Sequence, residues 1–555
     1  MARWRLRAGL AGFAGLVLSF LPVNGTALAA AGPVGAGINC AGVRSQLCSE
    51  VWDTESVFGS DTYVGHDEPS TIFYSNTPGS GNRNQYLLQL PKDPHTLPDG
   101  TDSGGTFNFQ LHPAFFFGMA MCDTQSSPEF TNQCTPDTDA NIFDDADPAS
   151  PHYIGRHPGA AFMEMQFYPP GWAQWPAGTS CDTTQWCAAL NIDSLSQDQN
   201  TGVVNNADCL SKAGIEPVNF AFITKNGVAH APAGPLSSTL DTFTVNRNTD
   251  FFMRSGDVIV VDEFDTAAGF EVVLRDLNTG KVGSMTASTA NGFEQVNFQP
   301  TAATCSATPY AFHPMYSTSS EHTRVSWTAH SYNVVFSDET GHFQFCNSVD
   351  KNTGRCLVAG GHDAGSAPDP DDVGCFAASQ LPPGSVPVSG CQGTDFDFDG
   401  TPYFNTWPGT LPNPGQDHKI HAQPIRFTSP VTNGFQQFDR VAFEADLPRI
   451  ENQVATPCNR TTGANCVNPP PGAQFYPIFT THESLAGQAC NWQEGGAFIP
   501  GTKNTFGGTS TAEYGPLLTL TYPGPGFQPI QRINNFRNVL PNNPCRSLSS
   551  MDTSD

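Results

Sequence analysis

Hydrophobic and polar residues alternate with a period of two along residues 161–172. An extended strand there has one apolar face, made of Met163, Met165 and Phe167. Its other face carries a carboxylate and an amide between aromatic rings: Phe162, Glu164, Gln166 and Tyr168. The apolar face predicts contact with a core. The polar face is typical of the floor of a polysaccharide-binding groove, and the alternative is a solvent-facing strand with ordinary polar residues.

Short alternating or apolar segments recur along the chain between turn signals such as Asn226-Gly227. The candidate strands are residues 85–90, 106–111, 115–121, 161–168, 218–224, 257–264, 270–277, 294–298, 331–336, 342–346, 425–427, 440–445 and 517–522. The chain has 53 glycines, 46 prolines and 40 phenylalanines, and short helices are expected only at 192–195 and 206–213. The sequence therefore predicts an all-β protein with long, ordered loops.

The N-terminus carries an export signal. Three arginines (Arg3, Arg5 and Arg7) precede an apolar run over residues 8–23, and Ala27-Leu28-Ala29 gives a small-x-small cleavage pattern. Residues 1–29 are therefore predicted to be a signal peptide, and the product is expected to be secreted. No comparable apolar run follows, so we expect no membrane anchor.

Composition divides the rest of the chain into four parts. Residues 30–59 form a disulfide-stapled N-terminal segment, and residues 60–346 hold the main sandwich. Residues 347–416, rich in Gly, Pro, Asp and Cys, are an insertion or linker. Residues 417–555 add strands that either complete the same sheets or form a small second domain.

The 16 cysteines are an even number, which in an exported chain favours disulfides over zinc or free thiols. Several are close neighbours that would staple surface loops: Cys40 and Cys48, Cys122 and Cys134, Cys181 and Cys187, and Cys458 and Cys466. A longer closure between Cys305 and Cys346 is also plausible on spacing. The connectivity does not follow from the sequence alone.

Acidic residues outnumber basic ones 52 to 25, which gives a net charge of −27. This excess argues against binding to nucleic acid or to anionic membranes. It suits an extracellular protein that works in mildly acidic surroundings or that binds cations.

A second strand with a polar face covers residues 438–446. Arg440, Ala442, Glu444 and Asp446 would share one side, with Val441 and Phe443 on the other. The Glu-x-Asp pattern of Glu444 and Asp446 resembles the catalytic strand of laminarinase-like glycoside hydrolases. The alternative is a surface ion network with Arg440.

This resemblance implies a pair of catalytic carboxylates. If Glu164 faced Glu444 or Asp446 across a groove, one would protonate the leaving oxygen and the other would attack or activate water. Separations of roughly 5–5.5 Å or 6.5–9.5 Å would then predict retention or inversion. The rings of Tyr168, Trp172 and Trp175 would stack on sugars.

A different resemblance covers residues 269–288, Gly-Phe-Glu-Val-Val-Leu-Arg-Asp-Leu-Asn-Thr-Gly-Lys and the following residues to Ser288. This segment is similar to a strand-turn-strand of the glutamic peptidases (eqolisins), which implies a concanavalin-like double sheet. In that family a catalytic Glu follows and pairs with a Gln on another strand. Glu294 is the nearest match to the Glu, and Gln166 is a candidate for the Gln. The family's Trp-flanked sequence after the Glu is absent, and its Gln motif is not recognisable in this chain.

Two further motifs, Tyr168-Pro169-Pro170-Gly171-Trp172 and His313-Pro314-Met315-Tyr316, are similar to those of a group of secreted proteins with no assigned chemistry. They imply no activity. Together with the alternation pattern, the resemblances predict a concanavalin-like or jelly-roll double-sheet sandwich with long disulfide-stapled loops.

Acidic residues at alternate positions suggest structural calcium. Asp395, Asp397 and Asp399 followed by Gly400 have the opening of a calcium loop, but the twelfth position is Thr406, which excludes a complete EF-hand. Asp137, Asp139 and Asn141 have similar spacing without the glycine. The alternative in both places is a solvated acidic turn.

The function predicted from the sequence is a secreted polysaccharide-active hydrolase that uses a carboxylate pair. Two alternatives stay open: an acid peptidase of glutamic type, and a non-catalytic secreted protein that binds glycan or belongs to the cell envelope. We expect a monomer whose partner is a polysaccharide or glycan, with no nucleic-acid or membrane partner. Calcium, in a structural role, is the only expected cofactor.

Overall fold

The computed structural model describes 24 segments of the chain. They are residues 70–75, 77, 79–94, 108, 114–126, 160–170, 181–182, 184–194, 206–213, 217–315, 334–339, 346–349, 356–359, 413–420, 422–432, 436–446, 479–485, 488–494, 502–506, 520–522, 530–532, 535–540, 543 and 545. Within them, no helix is long and apolar enough to cross a membrane.

Strands dominate the described residues. In chain order they are β1 (Ser70–Tyr74), β2 (Arg83–Gln89), β3 (Ala114–Cys122), β4 (Ala160–Tyr168), β5 (Cys187–Ser194), β6 (Val218–Phe222), β7 (Val258–Thr266), β8 (Gly269–Asp276), β9 (Val282–Thr286), β10 (Glu294–Val296), β11 (Ala307–Pro309), β12 (Val334–Glu339), β13 (Cys346–Val349), β14 (Cys356–Ala359), β15 (Arg426–Thr428), β16 (Val431–Thr432), β17 (Arg440–Asp446), β18 (Phe479–Leu485), β19 (Gln488–Glu494), β20 (Thr502–Phe506), β21 (Leu520–Tyr522), β22 (Ile530–Arg532) and β23 (Asn535–Leu540). The helices α1 (Ala207–Ala213) and α2 (Pro414–Ile420) and the short 3₁₀ helices Leu240–Phe243 and Thr289–Asn291 lie between them.

Two large antiparallel sheets form the fold, so the prediction of an all-β sandwich is confirmed. The front sheet has the order β23-β17-β1-β12-β3-β4-β5-β6. The back sheet has the order β20-β18-β19-β15-β2-β7-β8-β9, and β16 also pairs with β2. Strands from the C-terminal part, among them β15, β17 and β23, lie in these same two sheets.

The core lies between the sheets and is rich in aromatic rings. Tyr86 of the back sheet stacks on Phe117 of the front sheet, with 3.7 Å between ring centroids. Phe336 of the front sheet contacts Phe427 of the back sheet at 4.3 Å. Rings supply large buried apolar areas, and their stacked and edge contacts add to the stabilisation that burial gives.

The two sheets differ in how their outer faces are covered. In the back sheet, β2 alternates between half-buried and buried positions, as expected of a strand with one face toward the core. In the front sheet, β3 and β5 are buried at every position. The outer face of the front sheet is therefore covered at β3 and β5, which the alternation of the sequence does not show.

One of the two predicted helices is wrong. Residues 206–213 do form a helix, α1, which Asn206 caps by accepting from the Asp208 and Cys209 amides. Residues 192–195, in contrast, mostly belong to β5. That strand pairs with both β4 and β6, and these neighbours decide its conformation.

The described disulfides confirm one predicted pairing and correct another. Cys181 pairs with Cys187, as their close spacing suggested. Cys305 pairs with Cys209 of α1, not with Cys346, because the chain brings residue 305 to the helix, where the Cys305 amide also donates to Asp208. This bridge closes a separation of 96 residues, and such long closures restrict the unfolded chain most.

Candidate functional site

The polar side of β4 lies on the outer face of the front sheet. Met163, Met165 and Phe167 belong to the core between the sheets, as the alternation predicted. The intervening residues therefore point outward. Strand pairing places Glu164 between Gly118 of β3 and Asn191 of β5.

Four side chains form a continuous hydrogen-bonded chain, which we call the polar row: Glu164, Gln166, Tyr168 and Asn191. The Gln166 Nε2 atom donates to Glu164 Oε2, and the Tyr168 hydroxyl donates to Gln166 Oε1. Asn191 Nδ2 donates in turn to the Tyr168 hydroxyl oxygen over 3.3 Å. Since the tyrosine has a single proton to give, these bonds fix the orientation of both amides. The Glu164 carboxylate is the final acceptor.

The polar row is buried. Glu164 is 5 % exposed, and the other three side chains are at most 1 % exposed. Neither an open groove floor nor a solvent-facing strand describes this face. Asn191 Oδ1 has no hydrogen-bond partner within the described residues. A buried acceptor without a donor is costly.

Gly118 provides the space for an aromatic cover beside Glu164. A Cβ atom at this position would collide with the Phe162 ring and lie 2.8 Å from the Met163 carbonyl oxygen. Phe162 also packs edge-on against Phe116, with ring centroids 6.1 Å apart. The absence of a side chain at residue 118 thus sets the position of the ring next to the carboxylate.

We expect Gly118→Ala to destabilise the fold by about 1–3 kcal/mol, the usual result of overpacking a close-packed site. The added methyl group must displace either the Phe162 ring or the β4 backbone. Urea unfolding measures this difference. Gly280→Ala is a useful comparison, because a Cβ atom there meets nothing within 4 Å although its φ of 70° is strained. If Gly118→Ala were no less stable than the wild type, the packing described here would be wrong.

Glu444 and Asp446 are not brought next to Glu164. Strand register aligns Glu444 with Gln166 across the sheet, through Ser70, Ser337 and Phe116. Four strand spacings separate them, so the backbones of Glu444 and Gln166 lie about 19 Å apart. A pair of glycosidase carboxylates needs roughly 5–9.5 Å.

Glu294 and Gln166 lie on opposite sides of the front sheet. The Glu294 backbone exchanges hydrogen bonds with Asn219, whose alternate neighbour Ala221 faces the core. The Glu294 carboxylate accepts from the amides of Leu236 and Ser237 at 2.9 and 3.1 Å. Its described contacts are therefore to a loop backbone and not to Gln166.

The remaining predicted site residues lie outside the described residues. They are the two tryptophans expected to bind sugar and the two sets expected to bind calcium: Trp172, Trp175, Asp395, Asp397, Asp399, Asp137, Asp139 and Asn141. Structural calcium there stays a prediction. In the portions of the chain that the structure does describe, no group of three or more His, Cys, Asp or Glu side chains is arranged to hold a metal ion.

A second buried carboxyl group lies between the sheets. Glu263 of β7 is fully buried, and its Oε1 atom accepts from the Tyr86 hydroxyl over 2.8 Å. Burial raises the pKa of Glu263 to about 8, while the Tyr86 hydrogen bond opposes this shift. Burial also raises the pKa values of Asp123, Asp257 and Glu271. The folded protein therefore holds protons in mild acid that an unfolded chain would release.

The sequence reasoning missed Asn191 and Glu263. Asn191 directly precedes residues 192–195, for which the sequence predicts a helix, so the sequence does not place Asn191 opposite Glu164. Glu263 had a usable signal, because Ile259, Val261 and Glu263 follow the alternation of a core face.

Compared with known protein families and with curated proteins, the chain matches no family model and no curated sequence.

Proposed function

We propose that this chain is a secreted acid hydrolase that cleaves peptide bonds at the Glu164–Gln166 pair. The observation that carries the proposal is the direct hydrogen bond from the Gln166 amide to the Glu164 carboxylate on the outer face of β4. The described disulfides Cys181–Cys187 and Cys209–Cys305 suit export to an oxidising compartment.

The pair has the groups that such a reaction needs. At pH 3 an ordinary glutamic acid is mostly protonated, so Glu164 would act in its acid form. It would donate its proton to the leaving amide nitrogen as a water molecule adds to the scissile carbonyl carbon, and the carboxylate so formed would take up the proton that this water releases. The Gln166 amide would donate to the oxygen that becomes negative in the tetrahedral intermediate. Glutamic peptidases also use a Glu and a Gln, but the local resemblance pointed to Glu294, so the assignment to Glu164 rests on its contact with Gln166.

Peptide cleavage is favoured over glycan cleavage because of where the carboxylates lie. Glycosidases of the predicted type need two carboxyl groups on either side of one bond. The partner expected for Glu164 is four strand spacings away, whereas an amide lies beside it. The unmatched Asn191 Oδ1 would accept a hydrogen bond from a substrate N–H group.

A digest of the purified protein tests the proposal. Denatured casein and a panel of polysaccharides are incubated with it overnight at pH 3 and pH 6. We expect peptides from casein at pH 3, fewer at pH 6, and no release of reducing sugar. Sugar release without peptides would overturn the proposal in favour of a glycosidase. No product from any substrate would overturn it in favour of a binding or structural role.

A further inference from the structure

A loop packs on the outer face of β6, beside the Asn191 side of the polar row. We call residues 234–248 the lid. Its Phe243 contacts Phe220 of β6 at 5.1 Å between ring centroids, and Phe220 is the strand partner of Asn191. Phe243 and Tyr168 belong to the same buried cluster. The lid contains the 3₁₀ helix Leu240–Phe243, in which Leu240 is exposed. It therefore covers the strand next to the site with an aromatic side chain.

Both ends of the lid are fixed. On one side the Ala233 carbonyl accepts from the Phe220 amide at 2.9 Å, and on the other the Thr249 carbonyl accepts from the Lys225 amide at 2.8 Å. Between these anchors, the lid is held by Phe243 in its cluster, by Glu294 with two lid amides, by Arg247 with Asp182, and by His230 with the Asp241 carbonyl. The Thr242 hydroxyl also donates to the Pro232 carbonyl, and Lys225 Nζ donates to the carbonyls of Arg247 and Asn248. Movement of the lid would break these contacts while the anchors stay in place.

His230 lies outside the lid, before its first anchor, and contacts the lid at Asp241. Its Nδ1 atom lies 2.7 Å from Asp250 Oδ1, and its Nε2 atom lies 2.9 Å from the Asp241 carbonyl oxygen. Asp250 is fully buried and also accepts from the Asn246 amide and the Thr249 hydroxyl. Both ring nitrogens thus face acceptors. Only the doubly protonated imidazolium can donate to both, because a neutral ring has one N–H.

The charges around the ring favour that imidazolium. Asp250 and the Asp241 side chain are the charged groups that influence His230 from the described residues, and the uncharged Phe222 ring of β6 stacks on it at 5.6 Å. Arg247 is paired with Asp182 at the far end of the lid. The hydrogen bond with Asp250 raises the pKa of His230, and burial opposes the rise.

We propose that the lid is a pH-controlled cover of the polar row, held closed by the protonated His230 between Asp250 and the Asp241 carbonyl. The closed state binds the proton more tightly than the open state. Closure is therefore favoured below the pKa of His230 and weakens as the pH rises through it. Its role in catalysis rests on the proposed function: in acid the closed lid would separate the reacting pair and its one attacking water from bulk solvent.

Hydrogen exchange of the full-length protein tests the lid without any substrate. Exchange of lid peptides is measured at pH 5 and pH 8 and corrected for the intrinsic rates. We expect the protection of lid peptides in the wild type to be lower at pH 8 than at pH 5, since the protonated His230 that favours closure is lost as the pH rises. His230→Gln should remove this dependence, because its side chain does not titrate.

The matched control is His313→Gln. His313 also bonds an aspartate, Asp265, at 2.8 Å but lies outside the lid, so this variant should keep the wild-type dependence. Both variants retain Glu263 and hence the same global response to pH. Equal lid protection at both pH values in the wild type, or a fall that persists in His230→Gln, would overturn the lid proposal. Failure to cleave casein would instead overturn the proposed function and leave the exchange result standing.

Discussion

The free energy of unfolding of the wild-type protein should fall between pH 5 and pH 8. We expect most of this fall to be absent in Glu263→Gln. Glu263 is fully buried between the sheets, and its pKa of about 8 compares with 4.5 for an ordinary Glu. Over this interval the folded state keeps a proton that the unfolded state has released, so the free energy of unfolding falls as the pH rises. The group accounts for a loss of about 4–5 kcal/mol when the pH passes above 8.

The glutamine variant should show little of this loss. At pH 5 the two proteins should be similar, because the neutral acid and the amide have nearly the same shape. Each also leaves a polar group at the Oε2 position, which has no partner in the described part of the chain. At pH 8.5 the variant should be the more stable protein. Urea unfolding at a series of pH values from 4.5 to 8.5 measures both curves.

Two other variants check the cause. Glu271→Gln changes a partly exposed carboxyl group on the opposite face of the same sheet, so it should alter the pH dependence much less. Tyr86→Phe removes the hydrogen bond that lowers the pKa of Glu263. The free energy of unfolding of this variant should therefore continue to fall at pH values where that of the wild type has levelled off. Parallel curves for wild type and Glu263→Gln would show that this carboxyl group is not buried as described.

The second large effect is expected from Glu164→Gln. The change keeps the size of the side chain but removes the titrating carboxyl group, so we expect kcat/KM for a peptide substrate at pH 3 to fall by about 10³-fold, within the range usual for loss of general acid–base catalysis. A fluorogenic peptide assay measures the rate. The melting temperature should change by less than about 5 °C, since a near-isosteric substitution costs on the order of 1 kcal/mol.

A merely structural polar row predicts the opposite result. In that case any activity would survive Glu164→Gln, with the same small change in melting temperature, because the contact between Gln166 and residue 164 is common to both accounts. The activity of the folded variant therefore separates a reacting carboxylate from a buried structural one.

Local pattern was sufficient to predict the faces of β4. The positions of Met163, Met165 and Phe167 in the core follow from alternation alone. Exposure of the opposite face could not be predicted in this way, because Phe243, far along the chain, packs into the same cluster as Tyr168. The pattern of a strand determines which residues share a face, and distant segments determine what covers it.

Strand order explains the other differences. Glu164 and Glu444 both occur in strands with polar faces, but three intervening strands separate them, and only pairing between distant segments creates that order. Glu294 and Gln166 are separated by the sheet itself for the same reason. The Glu164–Gln166 contact, in contrast, joins residues i and i+2 of one strand, and the sequence already placed these two on one face.

The most direct test of the Glu164–Gln166 assignment is the initial rate of peptide release from denatured casein at pH 3. It compares the wild type, Glu164→Gln and Glu444→Gln, each first shown to be folded by circular dichroism. We predict release by the wild type and by Glu444→Gln at similar rates, and almost none by Glu164→Gln. Equal release by all three proteins, or none by the wild type, would contradict the assignment of Glu164 as the reacting group.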